Sequence, residues 1–215
     1  DTAHCTDLQD LSTNSDLYLL AVSDTAISEV AETLSTILPL TSPIVHTSGA
    51  TPSSVFAHHF SNYGIFYPLQ SFSKEKVVDF KQIPIGVHAS NQQLLDQLRT
   101  LAQRLSPKVY DIDDQQRAYL HVAAVFANNF TNYMLHIAHQ LSEVHEVPFD
   151  LLRPLILETA NKVQAHPPAQ MQTGPAIRAD ETTMQKHLAL LKDNTNWQQL
   201  YEALSEAIDR DLRTE

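Results

Sequence analysis

One long segment, residues 113–147, constrains the fold of this chain more than any other feature of the sequence. Its sequence is DDQQRAYLHVAAVFANNFTNYMLHIAHQLSEVHEV. Asp113 and Gln116 have the spacing of a helix capping box, and Pro148 ends the helical pattern. At a rise of about 1.5 Å per residue, one helix of this length spans roughly 50 Å, so it must cross a domain or reach a partner. The stretch 118–138 is apolar nearly all round, which predicts a helix packed on every side.

A line of polar side chains interrupts this apolar surface. At about 100° per residue, Asn128 lies about 20° to one side of His121 and Asn132 about 20° to the other, with Asn129 about 80° away. Amides and imidazoles in apolar surroundings need hydrogen-bond partners. We therefore expect the line either to border a wet cleft or to bond a neighbouring helix or a two-fold mate.

The first half of the chain predicts strands that alternate with helices. Short apolar runs indicate buried strands, and the spacing of larger apolar residues indicates amphipathic helices. The predicted strands are 16–22, 43–47, 63–67, 83–89 and 108–112, and the predicted helices are 24–38, 52–57 and 90–105. Asp24 and Ser90 are the expected N-caps. Residues 16–47 then form a right-handed βαβ unit with two parallel strands.

Beyond the long segment the sequence predicts helices alone. These are 150–165, 180–192 and 195–212, with Thr195 and Gln198 as a second capping box and a loop, HPPAQMQTGPAIRAD, before the second helix. The fold class is therefore an α/β domain, residues 1–112, followed by an all-helical domain, residues 113–215.

Charge and composition exclude several classes of partner. A net charge of -11, a pI near 5.3 and no basic run argue against nucleic acid and anionic membranes. The longest apolar stretches contain Asn and His, so we expect no membrane span and no signal peptide. The single cysteine, Cys5, excludes an internal disulfide, which fits a cytoplasmic protein.

Polar residues follow the first two predicted strands. In open parallel sheets, ligands collect beyond the carboxyl ends of the strands, which here are Ser23 with Asp24, and Thr47 with Ser48 and Gly49. Ser48 lacks the flanking pattern of a nucleophile. Hydroxyl groups in this position fit cofactor binding better.

Four motifs carry a resemblance to a known family. HTSG, FYPLQSFS, LHVAAVFANNFTNYM and QTGPAIRAD, in this order, resemble bacterial Rossmann-like proteins with a C-terminal domain of unknown function. Such proteins are commonly labelled NADP oxidoreductases, within the 6-phosphogluconate dehydrogenase-like C-terminal superfamily. The resemblance covers nearly the whole chain. It implies a nucleotide-binding domain with NADP or NAD as cofactor, and a helical domain that forms a homodimer through its long helix.

The chain departs from that family in its glycines. Proteins of this kind begin with a strand and a GxGxxG turn that binds pyrophosphate at a helix amino end. The four glycines here, Gly49, Gly64, Gly86 and Gly174, form no such motif. We therefore expect the first βαβ unit of the Rossmann-type domain to be missing from this sequence. The residues that remain for the cofactor lie on its nicotinamide side: Ser23, Asp24, Ser48 and Gly49.

A second departure concerns the catalytic residue. In the related β-hydroxyacid dehydrogenases the long helix carries a lysine in a K-x-x-N-N pattern, and this lysine is the acid or base. Here Asn128 and Asn129 match the asparagines, but Val125 stands where the lysine belongs. His121 lies one turn earlier, about 40° from Val125 on the helical wheel. An imidazole can exchange protons near neutral pH, so our hypothesis is that His121 replaces the lysine.

Further candidates for the substrate side each have a structural alternative. Tyr67 and Gln70 could hydrogen-bond the substrate or the nicotinamide, although Tyr67 could also be packing. Thr173 and Gly174 belong to a rigid turn that could close over the cleft. Arg178 could bind a carboxylate or phosphate, or pair with Asp180.

Three possible zinc ligands lie near the end of the long segment. His136, His139 and Glu143 share one helix face at spacings that could hold zinc. The helix end is hydrophilic and no cysteine is near, so a solvated face is the better interpretation. We expect no metal.

The resemblance implies an NAD(P)-dependent oxidoreductase, and the polar residues named above fit a small polar substrate in the cleft between the domains. The alternative is a dinucleotide- or metabolite-binding dimer without catalysis, which the missing lysine favours. A purely structural helical scaffold is the third possibility, and it would have no cavity between the halves.

Overall fold

The computed structural model describes residues 5–73 and 77–213. The chain divides into two compact units, Asp1–Asn129 and Phe130–Glu215. The first part of the long helical segment therefore belongs to the same unit as the strands. Residues 74–76, within a polar stretch expected to be a loop, lie outside the described residues.

A five-stranded mixed sheet forms the centre of the first unit, in the order β1-β2-β3-β4-β5. Its strands are β1 (Tyr18–Leu20), β2 (Ile44–His46), β3 (Tyr63–Pro68), β4 (Ile85–Ala89) and β5 (Val109–Asp111). β1, β2 and β3 are parallel, β4 pairs antiparallel with β3, and β5 is parallel to β4. The predicted βαβ unit and all five strands are confirmed.

The antiparallel pair β3–β4 is a feature that the sequence patterns did not predict. Parallel neighbours need a crossover, usually a helix, whereas antiparallel neighbours do not. In the described part of the connection between β3 and β4, the helical structure is one 3₁₀ turn, Phe80–Gln82. The chain therefore returns along the same edge of β3.

Helices cover both faces of this sheet. One face packs on α1 (Ile27–Ser35) and a 3₁₀ turn (Ser53–Phe56), and the other packs on α2 (Gln92–Leu105). Because side chains alternate along a strand, Ile44 belongs to the first cluster and Val45 to the second. Each fully buried aliphatic side chain contributes roughly 2 kcal/mol of transfer free energy. The predicted α/β class with a following helical region is confirmed.

The first strand is less buried than predicted. Leu19 is 48% exposed, while Tyr18 and Leu20 on either side of it are buried. Tyr18 and Leu20 pack against α1, whereas Leu19 points to the opposite face of the strand, where it stays half exposed. The prediction of a strand buried on both faces is wrong for Leu19.

Three predicted caps are displaced by one or more residues. Asp24 begins a 3₁₀ turn, Asp24–Ala26, that precedes α1, so it does not cap that helix. Asn91, rather than Ser90, accepts the amide of Leu94 at 3.0 Å as the N-cap of α2.

Ser90 instead fastens the end of β4 to the start of β3. Its hydroxyl accepts the amide of Tyr63 at 3.0 Å and donates to the carbonyl of Ser61 at 3.1 Å. In the second unit, Asn194 caps the last helix by accepting the amide of Trp197 at 3.1 Å, so the Thr195–Gln198 capping box is wrong.

The long segment is helical, but it is not one uniform helix. It consists of α3 (Asp114–Ala124), a π-helical segment (Val125–Phe130) and α4 (Thr131–Val144). The predicted capping box is confirmed, because the Asp113 carboxylate accepts the Gln116 amide at 2.7 Å and the Gln116 side chain accepts the Asp113 amide at 3.0 Å.

Burial along this segment differs from the prediction. Within α3, the π segment and α4, only Arg117 and Ser142 are buried. Tyr119 is 70% exposed and Val122 is 54% exposed. The expectation of a helix packed on every side is therefore wrong for Tyr119 and Val122, which the described residues of this chain leave exposed.

The second unit is entirely helical in its described residues. After α4 come α5 (Arg153–Ala165), α6 (Glu181–Leu190) and α7 (Thr195–Leu212). The predicted loop before α6 contains two 3₁₀ turns, Pro168–Met171 and Ala176–Arg178. Across the described residues, none of the helices combines the length and the apolar character that a membrane crossing requires.

Candidate functional site

A cavity of about 510 Å³ in the first unit contains five of the predicted site residues. Tyr67 and Gln70 come from β3 and the turn after it, His121 from α3, and Asn128 with Asn129 from the π segment. The rest of the lining is Leu69, Ser71, Leu120, Ala123, Ala124, Val125 and Ala127. All of these residues belong to the first unit. Its wall is thus mostly apolar with a few polar groups, as is usual for small-molecule sites.

His121, Tyr67 and Gly49 meet beside this cavity. The Tyr67 hydroxyl lies 3.5 Å from Nδ1 of His121, and the tautomer of the ring decides which of the two donates. A Cβ atom on Gly49 would lie 2.5 Å from that Nδ1 and 2.9 Å from the Tyr67 oxygen. Only glycine fits here without displacing a neighbour, so the loop after β2 touches both side chains through its backbone.

Tyr67 is held as a neutral phenol. It is 8% exposed, and burial raises the pKa of its hydroxyl, while the positive charge of Arg117 works in the opposite direction. A neutral phenol can donate one hydrogen bond and accept others. Tyr67 can therefore orient the imidazole of His121 or a bound polar group.

The π segment explains why Asn129 lines the cavity together with Asn128. In a π-helix each turn holds more residues, so each residue advances less than about 100° around the axis. Asn129, predicted about 80° from His121 on an α-helical wheel, is thereby turned back toward the face of His121. Asn128 and Asn129 are exposed rather than buried, so their amides need no internal partner. π segments of this kind are frequent at functional sites.

Asn132 lines a different cavity. The sequence prediction placed Asn132 on the line of His121 by assuming an advance of about 100° for every residue. This assumption fails across the π segment, which displaces the residues after it by roughly one position around the helix. Asn132 instead lines a cavity of about 650 Å³ within the second unit, together with His136, His139 and Arg153.

Val125 lines the cavity at the position where the resembled dehydrogenases have lysine. A valine side chain has no ionisable group, so this position transfers no proton. His121, one helical turn earlier in the lining, has two ring nitrogens, of which a neutral imidazole uses one as donor and the other as acceptor.

The predicted cofactor residues lie at adjacent strand ends. Leu20 of β1 is the register partner of His46 of β2, so the segments that follow start side by side. Ser23 and Asp24 after β1 are exposed. Ser48 after β2 is buried, and its hydroxyl accepts the amides of Ala50 at 3.1 Å and Thr51 at 2.9 Å. Since a hydroxyl also has one proton to donate, Ser48 retains a donor besides its role in the turn.

Besides Asn132, three predicted substrate residues belong to the second unit, namely Thr173, Gly174 and Arg178. Gly174 has φ +111°, a conformation that requires glycine, and it follows Thr173 in the turn. Arg178 ends a 3₁₀ turn near Asp180. Hydrogen bonds from Thr183 lower the pKa of the Asp180 carboxyl most, and the charge of Arg178 lowers it further. Whether Arg178 pairs with Asp180 or binds a substrate group stays a prediction.

The structure gives no support to a metal site. His139 Nδ1 lies 3.2 Å from a Glu143 oxygen, so these two side chains pair with each other. Over residues 5–73 and 77–213, no cluster of three or more potential ligands has metal-binding geometry.

Sequence reasoning missed a buried arginine next to this site. Arg117 is 1% exposed, and its Nε donates to the Gly49 carbonyl at 3.1 Å, its Nη1 contacts Asp114 at 3.0 Å and its Nη2 donates to the Thr51 carbonyl. The signal in the sequence was a charged residue in an apolar helix, three residues after Asp114 and one turn before His121.

His46 is a second buried group that sequence reasoning did not single out. Its Nδ1 accepts the amide of Ser48 at 3.1 Å, and the ring lies 5.5 Å from that of Phe56. Burial, followed by the positive charge of Arg117, lowers the pKa of His46 to about 4. The imidazole is therefore neutral at neutral pH and serves the loop after β2 as an acceptor.

Comparison with known proteins identifies relatives among solved structures. A structure from Bacteroides fragilis, named "putative NADP oxidoreductase", is 42% identical with a TM-score of 0.89, and the match covers 96% of this chain and 80% of that chain. A protein from Thermotoga maritima is 21% identical with a TM-score of 0.78, over 95% of this chain and 82% of that one. No significant match to a curated protein is found.

An enzyme with bound nucleotide shares the fold at lower identity. An imine reductase from Myxococcus stipitatus, in complex with NADP+, is 14% identical with a TM-score of 0.66, over 97% of this chain and 80% of that one. The family model of a domain of unknown function, DUF2520, matches residues 83–208. This range includes α2, the long helical segment and most of the second unit, so the chain belongs to the DUF2520 family.

Proposed function

We propose that this protein is an NAD(P)-dependent oxidoreductase that transfers a hydride to or from a small polar substrate. The observation that carries the proposal is the shared cavity of Tyr67, His121, Asn128 and Asn129, with Gly49 in contact distance of two of them. The name of the 42% identical relative and the NADP+ complex of the imine reductase support the same class of reaction.

The residues after β1 and β2 fit the nicotinamide end of such a cofactor. NADP or NAD, when bound, donates or accepts the hydride. The Ser48 hydroxyl has one proton for a carboxamide oxygen, and the loop at Gly49 lies against the Tyr67 and His121 side chains. Ser23 and Asp24 supply further polar groups at the neighbouring strand end. NADP is preferred over NAD through the resemblance and the relative's name, and no residue of this chain is assigned to the pyrophosphate.

His121 is proposed as the acid or base. If the Tyr67 hydroxyl donates to Nδ1, the ring carries its proton on Nε2, and that nitrogen exchanges the proton with the substrate. The separation of 3.5 Å is long for a hydrogen bond, and such contacts often shorten when substrate binds. Tyr67 is then the group that fixes the tautomer.

The amides that line the cavity are proposed to orient the substrate. Asn128, Asn129 and Gln70 each offer one acceptor and two donors. A neutral amide binds a carbonyl, an imine nitrogen or a hydroxyl without a charge requirement. Asn132, Thr173, Gly174 and Arg178 belong to the second unit, and their assignment to the substrate stays a prediction.

A second candidate function is binding of a dinucleotide or metabolite without catalysis. Val125 favours it, because it stands in the cavity wall where the resembled enzymes have their proton-transferring lysine. The two functions differ in one observable, since a pure binding protein holds the nucleotide but consumes none of it with any substrate.

We also propose a homodimer. The apolar surface of α3, with Tyr119 and Val122 exposed, and that of α5, with Leu155 and Leu157 more than 60% exposed, are the surfaces that a second copy would cover. Large exposed apolar patches on a folded chain commonly mark protein interfaces. The family resemblance in the sequence also supports a homodimer, and it is the basis for membership in the 6-phosphogluconate dehydrogenase-like superfamily. The single cysteine is the basis for a cytoplasmic location.

Nucleotide titration followed by a substrate screen tests the proposal. Purified protein is titrated with NADPH and NADH while the nucleotide fluorescence is followed, and keto acids and imines are then tested for NADPH consumption. We expect saturable NADPH binding and consumption with at least one substrate class. Binding without any consumption would favour the second candidate, and the absence of binding would contradict both.

A further inference from the structure

Arg117 is the largest fully buried side chain of the described residues, and it is charged. A guanidinium is buried in folded proteins only where its donors are satisfied, because a charge taken out of water loses its hydration. Here two of its nitrogens donate to backbone carbonyls, those of Gly49 and Thr51, and a third contacts the Asp114 carboxylate. The arginine therefore connects α3 to the loop after β2.

Asp114 fixes the far end of the same loop. Its carboxylate accepts the Ser53 amide at 2.9 and 3.0 Å and the Ser53 hydroxyl at 2.8 Å, besides its contact with Arg117. Asp114 stands in the first turn of α3, where a negative charge is favoured by the helix dipole. The ion pair thus holds residues 49, 51 and 53 at once.

The loop that this pair holds is the one that touches the candidate acid or base. Arg117 bonds the carbonyl of Gly49, and the space where Gly49 would carry a Cβ is occupied by His121 Nδ1 and the Tyr67 hydroxyl. Arg117 and His121 are four residues apart on α3, so they lie on the same face one turn from each other. A shift of the guanidinium would therefore move Gly49 relative to the imidazole.

We propose that Arg117 and Asp114 are positioning residues that hold the Gly49 loop against His121 and Tyr67, and thereby set the orientation of the imidazole in the cavity. The part played by that orientation in turnover rests on the proposed function, whereas the coupling between the ion pair and the His121 ring does not. Neither residue lines the cavity, so both act through the loop.

The geometry explains why arginine is used. The guanidinium reaches the carbonyls of residues 49 and 51 with two different nitrogens while it keeps the carboxylate on the third. A lysine ammonium is a compact charge that lacks this planar fork. The positive charge of Arg117 also acts on Tyr67 directly. Burial raises the pKa of the Tyr67 hydroxyl, and the charge of Arg117 opposes this rise.

The test compares variants of the network with a variant of the adjacent cap. Asp114→Asn and Ser53→Ala weaken the hold on the loop, whereas Asp113→Ala removes the capping box of the same helix without touching the loop. Asp113→Ala therefore controls for a general loss of helix stability. The readouts are the His121 ring signals in ¹H–¹³C NMR spectra, assigned by their loss in His121→Gln, the midpoint of thermal unfolding, and kcat and KM with NADPH.

We expect Asp114→Asn and Ser53→Ala to shift the His121 ring signals and Asp113→Ala to leave them in place at a comparable loss of thermal stability. Where turnover is measurable, Asp114→Asn should lower kcat tenfold or more with KM for NADPH changed less than threefold. His121 signals unmoved in Ser53→Ala, or moved equally in Asp113→Ala, would overturn the proposal. The NMR signals are recorded without substrate, so they test the positioning of His121 independently of turnover. Shifted signals without any turnover would mean that the proposed function fails while this inference holds.

Discussion

His46 shows how a single residue couples the candidate site to pH. The buried ring has a pKa near 4, so between about pH 6.5 and pH 4 the unfolded chain binds a proton that the folded chain excludes. The stabilisation from the neutral imidazole is complete above about pH 6.5 and is lost as the pH falls toward 4. The loss amounts to roughly 3 kcal/mol.

The measurement is the free energy of unfolding by urea at several pH values between 7.5 and 4.5. We expect wild-type protein and His58→Gln, which changes an exposed histidine of the same unit, to lose stability as the pH falls. His46→Gln should have a lower free energy of unfolding at pH 7.5, and this free energy should change less with pH than in the wild-type protein. An equal slope in wild-type protein and His46→Gln would show that another group is responsible.

Gly49 gives a second prediction at the scale of one residue. In Gly49→Ala the new methyl group would lie 2.5 Å from His121 Nδ1, so the imidazole must move or the loop must shift. We expect a loss of about 1–3 kcal/mol in the free energy of unfolding, as for other overpacked sites.

A double-mutant cycle separates the clash from other effects. If the His121 ring is the obstacle, Gly49→Ala should cost much less in a His121→Ala background, with a coupling free energy of about 1 kcal/mol or more. Additive effects of the two substitutions would contradict the contact that the structure describes.

At the scale of elements, hydrophobic patterning was a reliable guide to which strands and helices exist. Apolar runs predicted all five strands, and the capping box of α3 was predicted at the residues that form it, Asp113 and Gln116. Caps elsewhere were misassigned where two polar residues adjoin, as at Ser90 and Asn91, because either side chain is chemically able to cap. The choice depends on backbone dihedral angles, which tertiary packing sets.

Only part of the candidate site could be predicted from the sequence, because some of its features depend on tertiary structure. His121, Asn128 and Asn129 stand out as polar residues in an apolar helix. The π segment has no compositional signature, so the angular position of Asn129 and Asn132 could not be read from the spacing. Arg117 was missed because its partners, the carbonyls of Gly49 and Thr51, are distant in sequence and are backbone groups without a residue-type signal.

The displaced cap of α7 gives a prediction about one element. Asn194 accepts the Trp197 amide, whereas Thr195 is the first helical residue. Asn194→Ala should therefore cost about 1 kcal/mol in the free energy of unfolding, and Thr195→Ala should cost a few tenths at most. Urea unfolding of the two variants makes the comparison, and a larger cost for Thr195→Ala would contradict the cap assignment.

At the scale of the whole molecule, the exposed apolar surface of α3 predicts self-association. Light scattering coupled to size-exclusion chromatography should give the mass of a dimer. Tyr119→Glu should shift the equilibrium toward the monomer, because it places a charge within the proposed interface. Tyr110→Glu is the matched control, since Tyr110 is an exposed tyrosine on β5 of the same unit. A monomeric wild-type protein, or equal effects of both substitutions, would contradict the proposed interface.

We propose that His121 exchanges a proton in a nucleotide-dependent reaction within the cavity that Tyr67 and Asn128 line. The most direct measurement is the turnover of NADPH by His121→Gln with the first substrate found, beside the dissociation constant of NADPH. Glutamine keeps hydrogen-bonding groups but cannot titrate. We expect kcat to fall by about 10²-fold or more, with the affinity for NADPH nearly unchanged. A kcat within twofold of the wild-type value would contradict it.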